Sequence, residues 1–532
     1  MIKPTALIGL PTSLLIVLLA GCGEESAPVD TQATVVASVR NTAETLPTST
    51  PVPPPAPTPT STPVPPPTVL GTSASVMPNN PIIVEVNVTL DGPAQVYIDY
   101  ENEDAGQFRT LPTESAATEH VVPVVRLRPS TTYIYQVFAV DSAGRESEGV
   151  GGTFTTGELP EALASLEFNA QGKPTSELQL LDYRDVGSSY IFVLDQDSTI
   201  VWYYASPNPI PGVPFGLQAI RQKPDYNLVY YLGNPPQPCC LREITPLGEI
   251  VDSLSYSDFD GIPHHDHLIL PDNNVLYLAW TYRVIDDTSH GGSPKTVVEG
   301  DSLRVWNQNT GVTHEIWNTF DALSTDVRMG WGPRPPAGLP DRPTLNSVAE
   351  PMRWTFANSL AIGPRGNYII SIKRLFQVVS ISPDLQTVEW TLGGPNSTFT
   401  FSDPTDRPYN FHTVSELPNG NILLFDNGLS RPEEEGGEYS RVMELALSDY
   451  DLAATKVWEY RPDPDNYARL RSSAYRLDNG NTLVSFDTDP RVLVEVARDG
   501  TEVWKLVMTG PGLSGSYRAY SYESILGETR LR

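Results

Sequence analysis

The chain is poor in cysteine, in basic residues and in long apolar runs, and each shortage narrows what it can do. Only three cysteines occur in 532 residues: Cys22, Cys239 and Cys240. The last two are adjacent, and neighbouring Cα atoms lie about 3.8 Å apart, closer than the usual disulfide range. A vicinal disulfide and a pair of buried thiols both remain open, and a CC pair alone is no metal motif. Lys and Arg number 35 against 64 Asp and Glu, for a net charge of -29. That field repels nucleic acid, and no basic stripe interrupts it, so no nucleic-acid partner is expected. A small anionic ligand would need a local cluster of Arg, Lys or His to overcome it. Beyond the first twenty or so residues no segment resembles a membrane span.

What is present divides into regions. The start, MIKPTALIGLPTSLLIVLLAGCGEES, has a lysine, an apolar run and small residues before Cys22, the three parts of a secretory signal. Leu19-Ala20-Gly21-Cys22 looks like a bacterial lipoprotein box, with cleavage after residue 21 and Cys22 lipidated, against an ordinary signal peptide or a short anchor. An exported protein, lipid-anchored to the cell envelope through Cys22, is therefore expected. Proline is abundant, 51 residues in all, and much of it is concentrated in residues 22–69, which end in PTSTPVPPPAPTPTSTPVPPPT. Such a segment cannot bury a core and reads as an extended stalk.

Residues 70–157 alternate apolar and polar positions in short runs: IIVEVNVTL, AQVYIDYE, HVVPVVRL, TTYIYQVFAV and GGTFTT. LRPSTTYIYQVFAVDSAG places a proline turn before a tyrosine entering a strand. This predicts a fibronectin/immunoglobulin-like β-sandwich with Tyr133 or Tyr135 as its corner tyrosine.

From residue 158 to residue 532 helical periodicity is nearly missing and two short elements recur. One is a turn followed by a strand: PDYNLVYYL, PDNNVLYLA, PRGNYIISI, PNGNILLFD and DNGNTLVSF. The other is a strand ending near tryptophan, at Trp202, Trp317, Trp390, Trp458 and Trp504, with GEIVDSLSY as a unit that lacks it. Units of several short strands fit propeller blades, because a single blade cannot bury both faces of its sheet. An all-β chain with a six-bladed β-propeller after the sandwich is predicted, against seven blades or a two-sheet architecture. The tryptophans are then packing between blades. Thr281 to Pro351 is too long for one connection.

The repeat also places the histidines. Counting nine residues back from the turn asparagine reaches His412 from Asn421 and His265 from Asn274. The same count gives Gln218, Asn358 and Ser472 in the other units. Equivalent positions on successive blades are related by rotation, so two histidines 147 residues apart are expected to face one channel mouth. Polar residues at loop–strand junctions need no function, so the shared position carries this argument. In HHDH, His264 to His267, strand alternation would put His265 and His267 on one face and His264 and Asp266 on the other. Zinc sites gather three or four ligands, and only His412 is an obvious addition, so no metal and no cofactor are assigned.

The motifs WTFANSL through WTLGG, FHTVSELPNGNILLFDNG, YSRVMELAL, KVWEY and HHDHLILPDNNVLYLA resemble the bacterial arylsulfate sulfotransferase family, over residues 70–532. The resemblance implies transfer of a sulfuryl group from an aryl sulfate to a phenol by a ping-pong mechanism. It implies His412 as the nucleophile that becomes a sulfohistidine, and His265, or less directly His264, as the acid/base group. Arg374, or Lys373 if the register slips by one, would hold sulfate oxygens, and Asn358 matches a family asparagine. The chain departs from the family pattern at Phe356, where the family has histidine, and at Arg353, where it has an acid. Phenylalanine can neither donate to a sulfate oxygen nor exchange a proton. A propeller that has lost transfer and only binds a ligand or another surface protein is the competing expectation.

Overall fold

The computed structural model describes residues 65–185, 188–207, 216–233, 239–255, 261–330, 332–333, 351–511 and 517–531. The expectations for the signal, for Cys22 and for nearly all of the stalk fall outside these residues, as do the side chains of Cys239 and Cys240.

Six sheets, each built on at least four antiparallel strands, form the propeller, and short strands add parallel to those of blades 3 and 5. In blades 2 to 6 the innermost strands are Gly216–Gln222, Pro263–Ile269, Ala357–Ile362, His412–Glu416 and Ser473–Arg476. Each is followed by its recurring turn and a second strand that is almost wholly buried, such as Ile422–Asp426. The tryptophan-bearing segments are the outer strands: Ile200–Pro207, Val312–Asn318, Val388–Leu392, Ala453–Tyr460 and Glu502–Thr509. Ile250–Ser255, the unit without tryptophan, is the outer strand of blade 2. Trp202 and Trp504 are buried within clusters that join blade 1 to its neighbours, whereas Trp390 and Trp458 are only partly buried. The long Thr281 to Pro351 stretch holds most of blade 3, including Thr296–Asn307 and Val312–Asn318.

The recurring turn has a physical reason at two positions. Its third residue is left-handed: Gly366, Gly420 and Gly480 have φ of 81°, 83° and 88°, and Tyr226 and Asn273 take the same conformation where glycine is missing. In three blades the turn asparagine donates its amide to a glutamate buried on the third strand: Asn227 to Glu243, Asn421 to Glu444 and Asn481 to Glu495, at 2.7, 2.6 and 2.6 Å. A buried carboxylate needs such donors.

The ring closes twice. Tyr520–Tyr522 supplies the innermost strand of blade 1, pairing with Leu178–Arg184. Glu167–Gly172 adds a fifth strand outside blade 6, pairing with Glu502–Thr509. Ahead of the propeller, the long strand Asn80–Asn102 pairs first with Val69–Met77 and Ala117–Val124, then with Gly106–Arg109 and Thr132–Val140. Val86, Ile98, Val124, Tyr133 and Val137, from both ladders, share one apolar cluster. The Tyr133 hydroxyl accepts the Arg128 N–H at 2.9 Å. This region meets the propeller through Asn80 Nδ2, which donates to the Tyr203 carbonyl at 2.8 Å, and through Arg128 against Asp195 at 2.7 Å.

Candidate active site

The inner strands begin irregularly, and the irregularity builds the site. In blades 2 to 5 the pairing of inner with second strand skips register just after the start, between Gln218 and Arg221, Pro263 and His267, Ala357 and Ser359, and His412 and Ser415. A left-handed residue sits at or next to each skip: Ala219, His265, Phe356 and Thr413, at φ of 49°, 57°, 64° and 46°. Ser472, at 77°, takes the same conformation in blade 6. Such conformations cost of order 1 kcal/mol for residues with a Cβ. Here they recur at the starts of the inner strands of successive blades.

The bulge overturns the alternation expected for His264 to His267. His265 turns back toward its neighbour, and the rings of His264 and His265 lie edge to face with 5.1 Å between centroids. Asp266 is a member of an inter-blade ring. Its Oδ2 accepts the Leu360 N–H of the next blade at 2.9 Å. Ser359 Oγ does the same for Val414, Thr413 Oγ1 for Ala474, and Ser473 Oγ for Ala519, at 3.1, 3.0 and 3.2 Å. These residues lie eight positions before the turn asparagine, except that the last amide belongs to blade 1. Part of the polarity at the starts of the strands is therefore structural.

His265 and His412 face shared surroundings. His265 meets the Phe356 ring at 4.7 Å and Tyr517 at 6.4 Å between centroids. Burial first, then the charges of His264, His412, Lys373 and Arg353, hold its proton affinity well below the usual histidine value. His412, 4% exposed, is pushed down to about 3, mainly by burial and then by Lys373, with Arg518 and Arg471 adding. Both imidazoles are neutral at neutral pH.

Asn427 fixes the tautomer of His412. Its amide nitrogen donates to the carbonyls of Ala468 and Arg471 at 2.7 and 3.1 Å. Its Oδ1 therefore faces His412 Nδ1 at 2.7 Å and accepts that N–H. The proton on Nδ1 leaves the Nε2 lone pair available. Asn427 lies one residue beyond the strand in NILLFDNG, and its place in a turn disguises this role.

The cations are arranged unequally. Lys373 acts on both imidazoles, and burial with the neighbouring Arg374, Arg353 and Arg469 lowers its own pKa to about 8. Arg353 lies over Phe356, 4.7 Å from the ring centroid, and pairs with Glu299 at 2.9 Å. Arg374 turns to the carbonyls of Gly330 and Arg353. Asn358 is fully buried; its amide nitrogen donates to the Phe411 carbonyl at 3.0 Å and its Oδ1 accepts from Ser371. His264 is buried behind His265 against Trp280, with rings stacked at 5.1 Å. Among the described residues no group of three or more His, Cys, Asp or Glu side chains is placed to hold a metal ion.

Buried neutral imidazoles tie stability to pH. In the unfolded chain a histidine takes up a proton near pH 6.5, whereas His265, His267 and His412 resist it when folded. This contribution is fully present above pH 6.5 and is lost as pH falls, toward about 3 for His267 and His412. Urea unfolding at pH 6.5 and pH 5 is expected to show stability falling by about 1.4 kcal/mol per pH unit for each such imidazole. An unchanged stability over that interval would contradict the burial described.

Fold and site together define an all-β, six-bladed propeller with a buried cluster of histidines and cations at the starts of its inner strands. A family model described as Arylsulfotransferase (ASST) matches residues 167–497, more than half of the chain, and the chain belongs to that family. No curated protein sequence matches it. Similar solved structures include a Bacteroides caccae protein of unknown function, 14% identical, covering 65% of this chain and 98% of that one with a TM-score of 0.38. Virginiamycin B lyase from Staphylococcus aureus is 10% identical, covering 82% and 99%, with a TM-score of 0.31. Scores this low carry no argument about the site.

Proposed function

We propose that the protein transfers a sulfuryl group from an aryl sulfate to a phenol through a covalent intermediate on His412. The observation that carries this reading is the single tautomer of His412: Nδ1–H held by Asn427, with Nε2 as a neutral nucleophile beside Lys373. Nε2 attacks sulfur, the S–O bond to the aryl group breaks, and its electron pair leaves on the aryloxide oxygen. A phenol oxygen then attacks the sulfohistidine and the S–N pair returns to Nε2. Splitting the transfer in two in this way gives ping-pong kinetics. His265 serves as acid and base at the phenol oxygens. Lys373, with Arg353, neutralises the sulfuryl oxygens. Arg374 and Asn358 support that clamp by fixing the backbone around it. Incubation with 4-nitrophenyl sulfate and a phenol tests the reading; well-folded protein that releases no nitrophenol would remove it.

A second reading is favoured by Phe356, which occupies the space beside His265 with a ring that cannot bond sulfate. In it the propeller binds a sulfated, phenolic or glycan ligand, or a surface protein, without turnover. The two readings separate on Phe356→His. Histidine tolerates the left-handed backbone of position 356 better than phenylalanine does, and an added charge-assisted hydrogen bond is worth roughly 1.5–3 kcal/mol. We expect transfer to rise on the order of tenfold if catalysis is native. Ligand protection against unfolding with no product from either form would support binding alone.

The same reading takes residues 22–69 as a stalk, residues 70–157 as a fibronectin-like sandwich whose corner tyrosine is Tyr133, and residues 158–532 as the catalytic propeller. Lipidation at Cys22 would hold the protein at the outer side of a membrane, where phenolic substrates arrive without crossing it. Mass spectrometry of the membrane-extracted protein, with a Cys22→Ser control, tests the anchor; an unmodified N-terminus on the mature protein would exclude it.

A further inference from the structure

Behind His265 lies a chain of groups that the mechanism above does not use. Asp301 Oδ2 is occupied, accepting from Thr355 Oγ1 at 2.5 Å and from the Ala357 N–H at 2.8 Å. Its Oδ1 lies 3.1 Å from His264 Nε2. The contact is an ion-pair approach and not a well-formed hydrogen bond, and among the described residues neither atom has any hydrogen-bond partner. On the other side of the same ring, His264 Nδ1 lies 2.9 Å from His265 Nδ1. Stacking on Trp280 keeps the His264 ring in this plane. Both Asp301 and His264 are 1% exposed, so water does not compete for these atoms.

The protons along the chain can be assigned from the chemistry of the acceptors. A carboxylate only accepts, so the proton between Asp301 and His264 belongs to His264 Nε2. The neutral ring then presents a lone pair at Nδ1, which accepts Nδ1–H from His265. That leaves the lone pair of His265 at Nε2. We infer that Asp301 and His264 form a positioning relay that fixes this tautomer of His265 and shares the charge it acquires when Nε2 takes a proton. The inference rests on the sulfuryl-transfer reading.

In the second half-reaction the acceptor hydroxyl proton passes to His265 Nε2 while its oxygen forms the bond to sulfur. The S–N bond to His412 breaks and its electron pair returns to His412 Nε2. His265 is now an imidazolium facing Lys373, Arg353 and His412, surroundings that oppose positive charge. Movement of its Nδ1 proton toward His264 places that charge beside Asp301. In the next cycle His265 Nε2 returns its proton to the departing aryloxide as the S–O bond breaks. The relay matters most when that oxygen is strongly basic.

His264→Phe tests the relay, because it keeps the stack on Trp280 and removes both nitrogens. With phenyl sulfate as donor, kcat is expected to fall by about 10²-fold with KM little changed. With 4-nitrophenyl sulfate, whose leaving group needs no proton, the loss should stay under about tenfold, and sulfated His412 should still form. His264→Gln, which keeps a donor for Asp301 but cannot pass a proton, should show the same contrast and serves if the phenylalanine variant does not fold. Equal losses with both donors, or none with either, would overturn the relay while leaving sulfated His412 in place. Wild-type protein that forms no sulfated His412 would instead overturn the transfer reading, and the relay with it.

Discussion

His412→Ala is expected to lower sulfuryl transfer on the order of 10⁶-fold, the scale seen when a covalent nucleophile is removed from a site that acts as a unit. No neighbouring group can replace it. His265 has its Nδ1 directed at His264, and Lys373 is a cation for much of its titration, with a pKa of about 8. The substitution also leaves the Asn427 oxygen without its imidazole donor, which costs about 1–3 kcal/mol of stability. Unfolding curves must accompany the kinetics so that the loss is assigned to chemistry. The decisive measurement is mass spectrometry after brief exposure to 4-nitrophenyl sulfate: wild type should gain one sulfuryl group at residue 412 and the variant none. A variant that still releases nitrophenol at more than a hundredth of the wild-type rate would place the nucleophile elsewhere.

The largest effect on stability is expected at Asp266. This carboxylate is 3% exposed and lies 2.7 Å from Arg518 and 3.2 Å from Arg221. Its Oδ1 faces Arg221 on the inner strand of blade 2, and its Oδ2 takes both Arg518, just ahead of the closing strand of blade 1, and the Leu360 N–H of blade 4. Asp266→Ala strands two guanidinium groups in the channel, a change that typically costs 3–5 kcal/mol. Asp266→Asn keeps an acceptor for Leu360 and should lie between. Burial alone would raise the Asp266 pKa, but Arg518 and Arg221 outweigh it and hold the group below the usual carboxylate value. Its contribution is therefore present above about pH 4, the unfolded carboxylate value, and is lost as pH falls through the lower folded value. Urea midpoints at pH 7 for the three proteins check this; a loss below 1 kcal/mol for the alanine variant would mean that the arginines find other partners.

Much of the propeller was legible because its repeats are written twice, once in the turn and once in the tryptophan strand. The six units counted from sequence are the six sheets observed. The inner strand of blade 1 was not legible, since Tyr520–Tyr522 has no turn asparagine after it and lies more than 300 residues from the strands it joins. The two histidines were visible through their common distance from Asn274 and Asn421. The residues that tune them were hidden for a different reason. Asp301 and Asn427 come from or follow apolar second and third strands, where a polar residue has no periodic signature, and Arg518 arrives with the closing strand. The pairing of His264 with His265 was missed because alternation assumes an extended backbone, and His265 at φ 57° is not extended. Lys373 and Arg374 differ by one position in a short turn, and only geometry distinguishes the lysine that bears on both imidazoles from the arginine directed at Gly330.

The double closure has a consequence for the timing of synthesis. A ribosome delivers Leu178–Arg184 early, yet the strand that covers its inner edge comes only with Tyr520–Tyr522. Until then five blades and part of a sixth form an open arc, and Asp266 lacks Arg518. Blade packing can begin as each unit emerges, but the channel charges balance only when the closing strand arrives. The chain thus carries its own check on completeness: a prematurely terminated product would hold both histidines and most of the core, yet expose a sheet edge and lack the guanidinium that settles the channel.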